Sequence, residues 1–280
     1  IMKKIFIIAD GRTGSSFLSN HFPSVEMHGR EVNQYNATEF WSMWPPNFWK
    51  HLNFLNNNNI QIPKSHIDCI LRLYTHKPPH MSKPITNQFP YTIDMISDFC
   101  KSIEPMKLNY FIHKNISYAN KKGGWTQEDV IKKADLVIVN YRKSILDSWI
   151  STTKAQQSQQ WTTHQYNSEY DKEIWWSKKA YLDYANTYIK NYTEIKEAIQ
   201  NLKKPYIVIE YEKFHKQPNT VDYLWQRLND VGFSDVTLKI PGLQKQSKNR
   251  KYYEDCFGKS HKEKFMEDYA SIKHLTTYEF

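Results

Sequence analysis

The chain of 280 residues is long enough to bury a proper core, and with no interdomain linker it reads as a single domain spanning 1–280. A formal net charge of +9 favours an anionic ligand, nucleic acid or an acidic surface, and 15% aromatic residues, nine Trp and nineteen Tyr among them, exceed what a core alone uses and point to a lined pocket. Cys69, Cys100 and Cys256 are few and scattered, which argues against a disulfide framework or a metal-ligand cluster, and no apolar run approaches the ~20 residues of a membrane helix.

The start, MKKIFIIAD, turns charged too soon for a signal peptide, so the expectation is a soluble, cytoplasmic protein. Lys4 to Ala9 is a continuous apolar run closed by Asp10-Gly11, the pattern of a strand buried on both faces. It leads into Gly11-Arg12-Thr13-Gly14-Ser15-Ser16 and then a helix. Backbone N–H groups converge in such a turn, the serines add hydroxyl donors and Arg12 adds a forked, permanent charge. This is the layout of an anion cradle, and equally of a plain glycine turn; it lacks the lysine and spacing of the G-x-x-x-x-G-K-[ST] pattern, which disfavours a nucleotide triphosphatase.

Residues 41–63 are rich in Trp, Asn and Pro and read as an irregular insertion, a candidate lid in which Trp41, Trp44 and Trp49 could stack on sugar faces or anchor to the core. Further strand-like runs follow at Leu108 to His113, Leu136 to Asn140 and Tyr206 to Glu210, separated by helical patterns at Gln127 to Lys133, Ser144 to Ala155, about Lys172 to Leu202 and Val221 to Val231. Buried strands alternating with helices predict an α/β fold with a central, mostly parallel sheet flanked by helices, and ligands on such sheets sit beyond the strands' carboxyl ends. The polar, Lys-rich segment Pro241 to Lys264 reads as a loop followed by a last helix.

The run LVIVNYRKSILDSWIS repeats the strand-to-helix layout. Arg142 ends the strand and Ser144 is placed to cap the helix. Helical spacing gathers Ser144, Asp147, Ser148, Ser151 and Ala155 on one polar or small stripe, opposite Ile145, Leu146, Trp149 and Ile150. Arg142 and Ser151 could then grip one anion, against the plain alternative of a solvated helix face.

GRTGSSFL resembles the 5′-phosphosulfate loop of sulfotransferases that use 3′-phosphoadenosine 5′-phosphosulfate (PAPS), especially the carbohydrate-modifying and bacterial nodulation-factor or glycolipid types. YRKSILDSWIS is similar to their 3′-phosphate segment, AQQSQQWTTH to the bacterial type's continuation, IVIEYEKFHKQP to their Tyr-Glu strand end, and HGREVN to the acidic segment after the first loop. The motifs run in order from residue 5 to about 255, with departures at Lys143-Ser144 after the arginine and at Gly-Arg-Glu in the acidic segment, and residues 35–105 match nothing in the family.

The resemblance implies a P-loop-like sulfotransferase fold, PAPS as donor, its bisphosphate product PAP, no metal, no nucleic acid, and a hydroxyl acceptor on a glycan or glycolipid. By the same resemblance Gly11, Arg12, Thr13, Gly14, Ser15 and Ser16 hold the 5′-phosphosulfate, with Arg12 also stabilising the leaving oxygen. Arg142 and Ser151 hold the 3′-phosphate, Trp161 lies near the adenine or equally packs in the core, and Lys245 and Arg250 close over the phosphates, although solvated surface charge also explains the last two. Glu31 is the first choice of general base, against a plain surface carboxylate, and His113, at a strand end, the second, where a hydrogen-bonded structural histidine is the favoured reading; Lys114 beside it could touch the sulfuryl group. The competing readings are a P-loop-like small-molecule kinase and a non-catalytic glycan- or nucleic-acid-binding protein.

Overall fold

A computed structural model describes residues 2–23, 34–38, 109–116, 126–158, 174–241 and 256–280. Its strands are β1 (Lys3–Ala9), β2 (Gln34–Thr38), β3 (Tyr110–Ile116), β4 (Leu136–Tyr141) and β5 (Tyr206–Glu210). They form a five-stranded sheet in the order β2-β3-β1-β4-β5. Every neighbouring pair is parallel. The helices are α1 (Ser15–Ser19), α2 (Gln127–Lys133), α3 (Ile145–Ser158), α4 (Lys178–Leu202), α5 (Tyr211–Phe214), α6 (Thr220–Asp230) and α7 (Lys259–Ile272).

The apolar runs become strands because both of their faces find cover. Along β1, Phe6 and Ile8 pack with Val137 and Val139 into a layer with α2, α3, α4 and α7, whereas Ile5 and Ile7 join Leu18, Phe214, Leu224 and Leu228 on the other side. The period-two alternation of a strand thus feeds two cores, and each fully buried apolar side chain contributes roughly 1.5–3 kcal/mol. The predicted strands at Leu136 and Tyr206 and the helix Gln127–Lys133 form with bounds close to those expected. Thr126 starts α2 with a capping box to Asp129.

Some bounds differ. The long helix begins at Lys178, where Ser177 accepts from the Ala180 N–H, rather than near Lys172. The third strand is Tyr110–Ile116, held by register to β1, rather than Leu108 to His113. β2, with the sequence QYNAT, carries no apolar run, and its pairing with β3 makes it a strand. The insertion at 41–63 lies outside the described residues.

β1 is the central strand. The chain leaves it toward β2 and β3 on one side, then crosses to β4 and β5 on the other, so the strand order reverses between β1 and β4. The register Ala9↔Asn140 brings the two strand ends level there. Crevices at such reversals, beyond the carboxyl ends, are where open α/β sheets bind ligands.

α4 locks this rim from behind. The Tyr192 hydroxyl accepts from the Asp10 N–H at 3.1 Å and donates to the Asn140 carbonyl at 2.8 Å, joining the ends of β1 and β4. One turn earlier the Tyr188 hydroxyl accepts from the Arg142 N–H at 2.8 Å and donates to the Arg142 carbonyl at 2.7 Å. Asn191 donates to both oxygens of the buried Asp10 carboxylate at 3.2 Å. Burial raises both tyrosine pKa values well above the ordinary phenol range, so the hydroxyls keep the protons they donate.

Tyr192→Phe should leave the Asp10 N–H and the Asn140 carbonyl without this partner and cost about 1–3 kcal/mol, read as a lower urea midpoint with an unchanged slope. His21 supplies a pH test. Its ring is buried between the Phe17 carbonyl at 3.0 Å and the Thr220 hydroxyl at 2.7 Å, and burial holds its pKa below the ordinary 6.5. The neutral ring belongs to the fold, so its stabilisation is complete above about pH 6.5 and is lost as pH falls from there toward the folded-state pKa. Urea midpoints measured between about pH 7.5 and 5 should fall on acidification, and fall less in His21→Gln.

Candidate functional site

The turn after β1 is shaped from inside. Thr13 Oγ1 donates to the Asp10 carbonyl at 2.8 Å, and Asn140 Nδ2 donates to the Thr13 carbonyl at 2.9 Å. Arg12 and Gly14 both lie in the left-handed region, at φ 66° and 80°. For a non-glycine residue that conformation costs roughly 1–2 kcal/mol, and such strain concentrates at ligand clamps. Gly14 is required twice over, by its φ and because a Cβ there would overlap the Tyr211 ring. Gly11 is different: it has no positive φ, and a Cβ built on it meets nothing within 4 Å, so space opens on that side of the turn.

The orientation of this turn leaves its amides unused. Among the described residues, the backbone N–H groups of Gly11, Thr13, Gly14, Ser15 and Ser16 donate to no protein acceptor. Successive amides turned to one concavity form an anion-binding nest. Lys114 reaches the same place from β3: its buried ammonium donates to Ser16 Oγ at 3.0 Å.

The turn after β4 is the opposite case. The Glu212 carboxylate accepts from the N–H groups of Lys143 at 2.9 Å and Ser144 at 3.2 Å. The Thr276 carbonyl accepts from Ile145 at 2.9 Å and Leu146 at 3.4 Å. Ser144 Oγ accepts from the Asp147 N–H at 3.1 Å, the predicted cap. The start of α3 is therefore satisfied by protein, and what this turn offers an anion is side chain.

That side chain is Arg142. Its Nε lies 3.4 Å from Glu212 and its Nη2 4.0 Å from Asp147, ion pairs without hydrogen-bond alignment, and Nε is buried with no hydrogen-bond acceptor among the described residues. Its guanidinium carbon sits 5.1 Å from the centre of the Tyr211 ring, a cation–π contact. Arg12 approaches from the first turn and donates from Nε to Ser151 Oγ at 3.0 Å. Burial first, and then the like charge of Arg142, depress the Arg12 pKa, so two cations face one crevice. Tyr211 touches both loops; burial raises its phenol pKa while Arg142 pulls the other way.

The structure thus brings Arg12, Thr13, Gly14, Ser15, Ser16, Arg142 and Ser151 to one rim, with Ser151 bonded to Arg12. The predicted polar stripe of α3 is only partly open: Ser148 and Ala155 are buried, and Ser148 Oγ meets the Tyr184 hydroxyl at 2.8 Å, because α4 packs there. His113 is described in its backbone alone, paired with Phe6. Glu31, Trp161, Lys245 and Arg250 lie outside the described residues, as do Trp41, Trp44 and Trp49. Sequence reasoning missed Tyr188, Tyr192 and Asn140 as site builders; it noted Tyr211 and Glu212 only as a strand-end motif. No helix among the described residues is long and apolar enough to cross a membrane. Comparison with protein-family models, curated proteins and solved structures finds no match.

Gly14→Ala should lower the thermal midpoint through overlap with Tyr211 and through its left-handed φ. Measured against Tyr211→Ala alone, the same Gly14→Ala change should cost only the backbone strain, roughly 1–2 kcal/mol.

Proposed function

We propose that the chain is a sulfotransferase that moves a sulfuryl group from PAPS to an acceptor hydroxyl on a carbohydrate or glycolipid. The observation that carries the reading is a nest of unused loop amides flanked by Arg12, Arg142 and the buried Lys114 at the reversal of strand order. Converging donors and cations call for a ligand rich in phosphate-type oxygens. The order of motifs along the chain selects PAPS within that class, and a phosphate loop after the central strand of a parallel sheet agrees with a P-loop-like sulfotransferase fold.

In this reading the loop N–H groups, Ser15 and Ser16 hold the 5′-phosphosulfate. As the acceptor oxygen attacks sulfur, the bond from sulfur to the phosphate oxygen breaks, and the charge gained by that oxygen is met by Arg12 and the loop amides. Lys114 offsets charge on the sulfuryl oxygens. Arg142, whose guanidinium hydrogen bonds are unspent, takes the 3′-phosphate together with Ser151 once Arg12 turns to the donor. The acceptor proton passes to a carboxylate or imidazole, Glu31 first and His113 second.

Thermal shift with PAP, with ATP and magnesium, and with an oligonucleotide separates this from a kinase or a nucleic-acid binder. PAP alone should stabilise strongly, by about 2.7 kcal/mol at a hundredfold excess over its Kd, and Arg142→Ala should abolish most of that gain. Stabilisation by ATP with magnesium or by the oligonucleotide, and none by PAP, would contradict it.

A further inference from the structure

We infer that Glu212 is a positioning residue for Arg142: its carboxylate fixes the turn after β4 so that the guanidinium stays aimed into the crevice with its donors unspent. The inference rests on the proposed reading of Arg142 as the 3′-phosphate ligand.

Strand register makes the arrangement possible. Tyr141 pairs with Glu210 at the last position of β4 and β5, so the residues that follow the two strands leave side by side. Tyr211 then lies against the Arg142 guanidinium and Glu212 against Lys143. β5 ends and α5 begins at this point, which turns the Glu212 side chain back toward β4.

The carboxylate spends its lone pairs on backbone. It holds the Lys143 and Ser144 N–H groups at 2.9 and 3.2 Å, while its approach to Arg142 Nε at 3.4 Å lacks hydrogen-bond alignment. A carboxylate that formed a forked pair with Arg142 would consume the donors a phosphate needs. This one steadies the peptide on the C-terminal side of Arg142, as Tyr188 clasps the N–H and carbonyl of Arg142 itself. Its charge draws the guanidinium toward the turn, and Asp147 at 4.0 Å draws it from the first turn of α3.

The readout is the preference for PAP over adenosine 5′-monophosphate, which isolates the 3′-phosphate. By titration calorimetry the wild type should prefer PAP, and Glu212→Ala should weaken PAP binding by roughly tenfold or more while leaving the monophosphate within about twofold. Glu212→Gln, which retains one acceptor oxygen, should fall between and serves if the alanine variant fails to fold. Adding Glu212→Ala to Arg142→Ala should cost little further PAP affinity, because the two act through one contact. Equal weakening of both ligands, no change, or tighter PAP binding would each overturn the positioning role. A wild type with no preference for PAP would instead remove the 3′-phosphate assignment of Arg142, and the inference with it.

Discussion

The hydroxyl of Tyr192, set between the Asp10 N–H and the Asn140 carbonyl, is the contact on which the rim of this sheet depends. At the ends of β1 and β4 the ladder stops and backbone groups lose their strand partners, in a place too buried for water to replace them freely. α4 supplies those partners from a single face. Tyr181, Tyr184, Tyr188 and Tyr192 recur at helical spacing and bond in turn to the Leu275 carbonyl, Ser148, the Arg142 backbone and the two strand ends. A site assembled from two loops needs its loops fixed relative to each other, and a buried helix gripping both does so more rigidly than either loop alone.

From that constraint follows a contrast between two turns that look alike in sequence. Both run strand, short polar segment, helix. Behind β4, Glu212 and Thr276 spend the amides at the start of α3, and the segment after α7 packs over them, with Tyr278 donating its N–H to the Lys143 carbonyl at 2.9 Å. Behind β1 the amides stay unspent, and the cost of holding Arg12 in a left-handed conformation is offset by the bonds of Thr13, Asn140 and Ser151. One turn offers backbone and the other a guanidinium, and the proposed function assigns each of them to a separate phosphate of one nucleotide.

Much of this frame was legible because its causes are local. The apolar runs of β1, β4 and β5, the helical pattern of α2 and the cap at Ser144 depend on neighbours within a few residues. β2 was not legible: QYNAT alternates only Tyr35 and Ala37 with polar residues, too short and weakly apolar a signal to mark a strand, and it becomes one by pairing with β3. The tyrosine stripe of α4 reads as a core face, and only tertiary structure shows its hydroxyls spent on backbone far away in the chain. Tyr211 and Glu212 gain their roles from the register of β5 on β4, which spacing along one segment does not encode. The two arginines could be named as a pair from their strand-to-helix junctions, but the bond from Arg12 to Ser151 could not, since it joins the first turn to a side chain inside α3, far along the sequence.

The central claim is that the unspent amides of the first turn receive a phosphate. Backbone amide NMR of the isotopically labelled protein titrated with PAP addresses it directly. The resonances of Gly11, Thr13, Gly14, Ser15 and Ser16 should move strongly as their N–H groups gain an acceptor, while those of Lys143 and Ser144, already bonded to Glu212, should move little. First-turn amides that stay in place at saturating ligand would contradict the account.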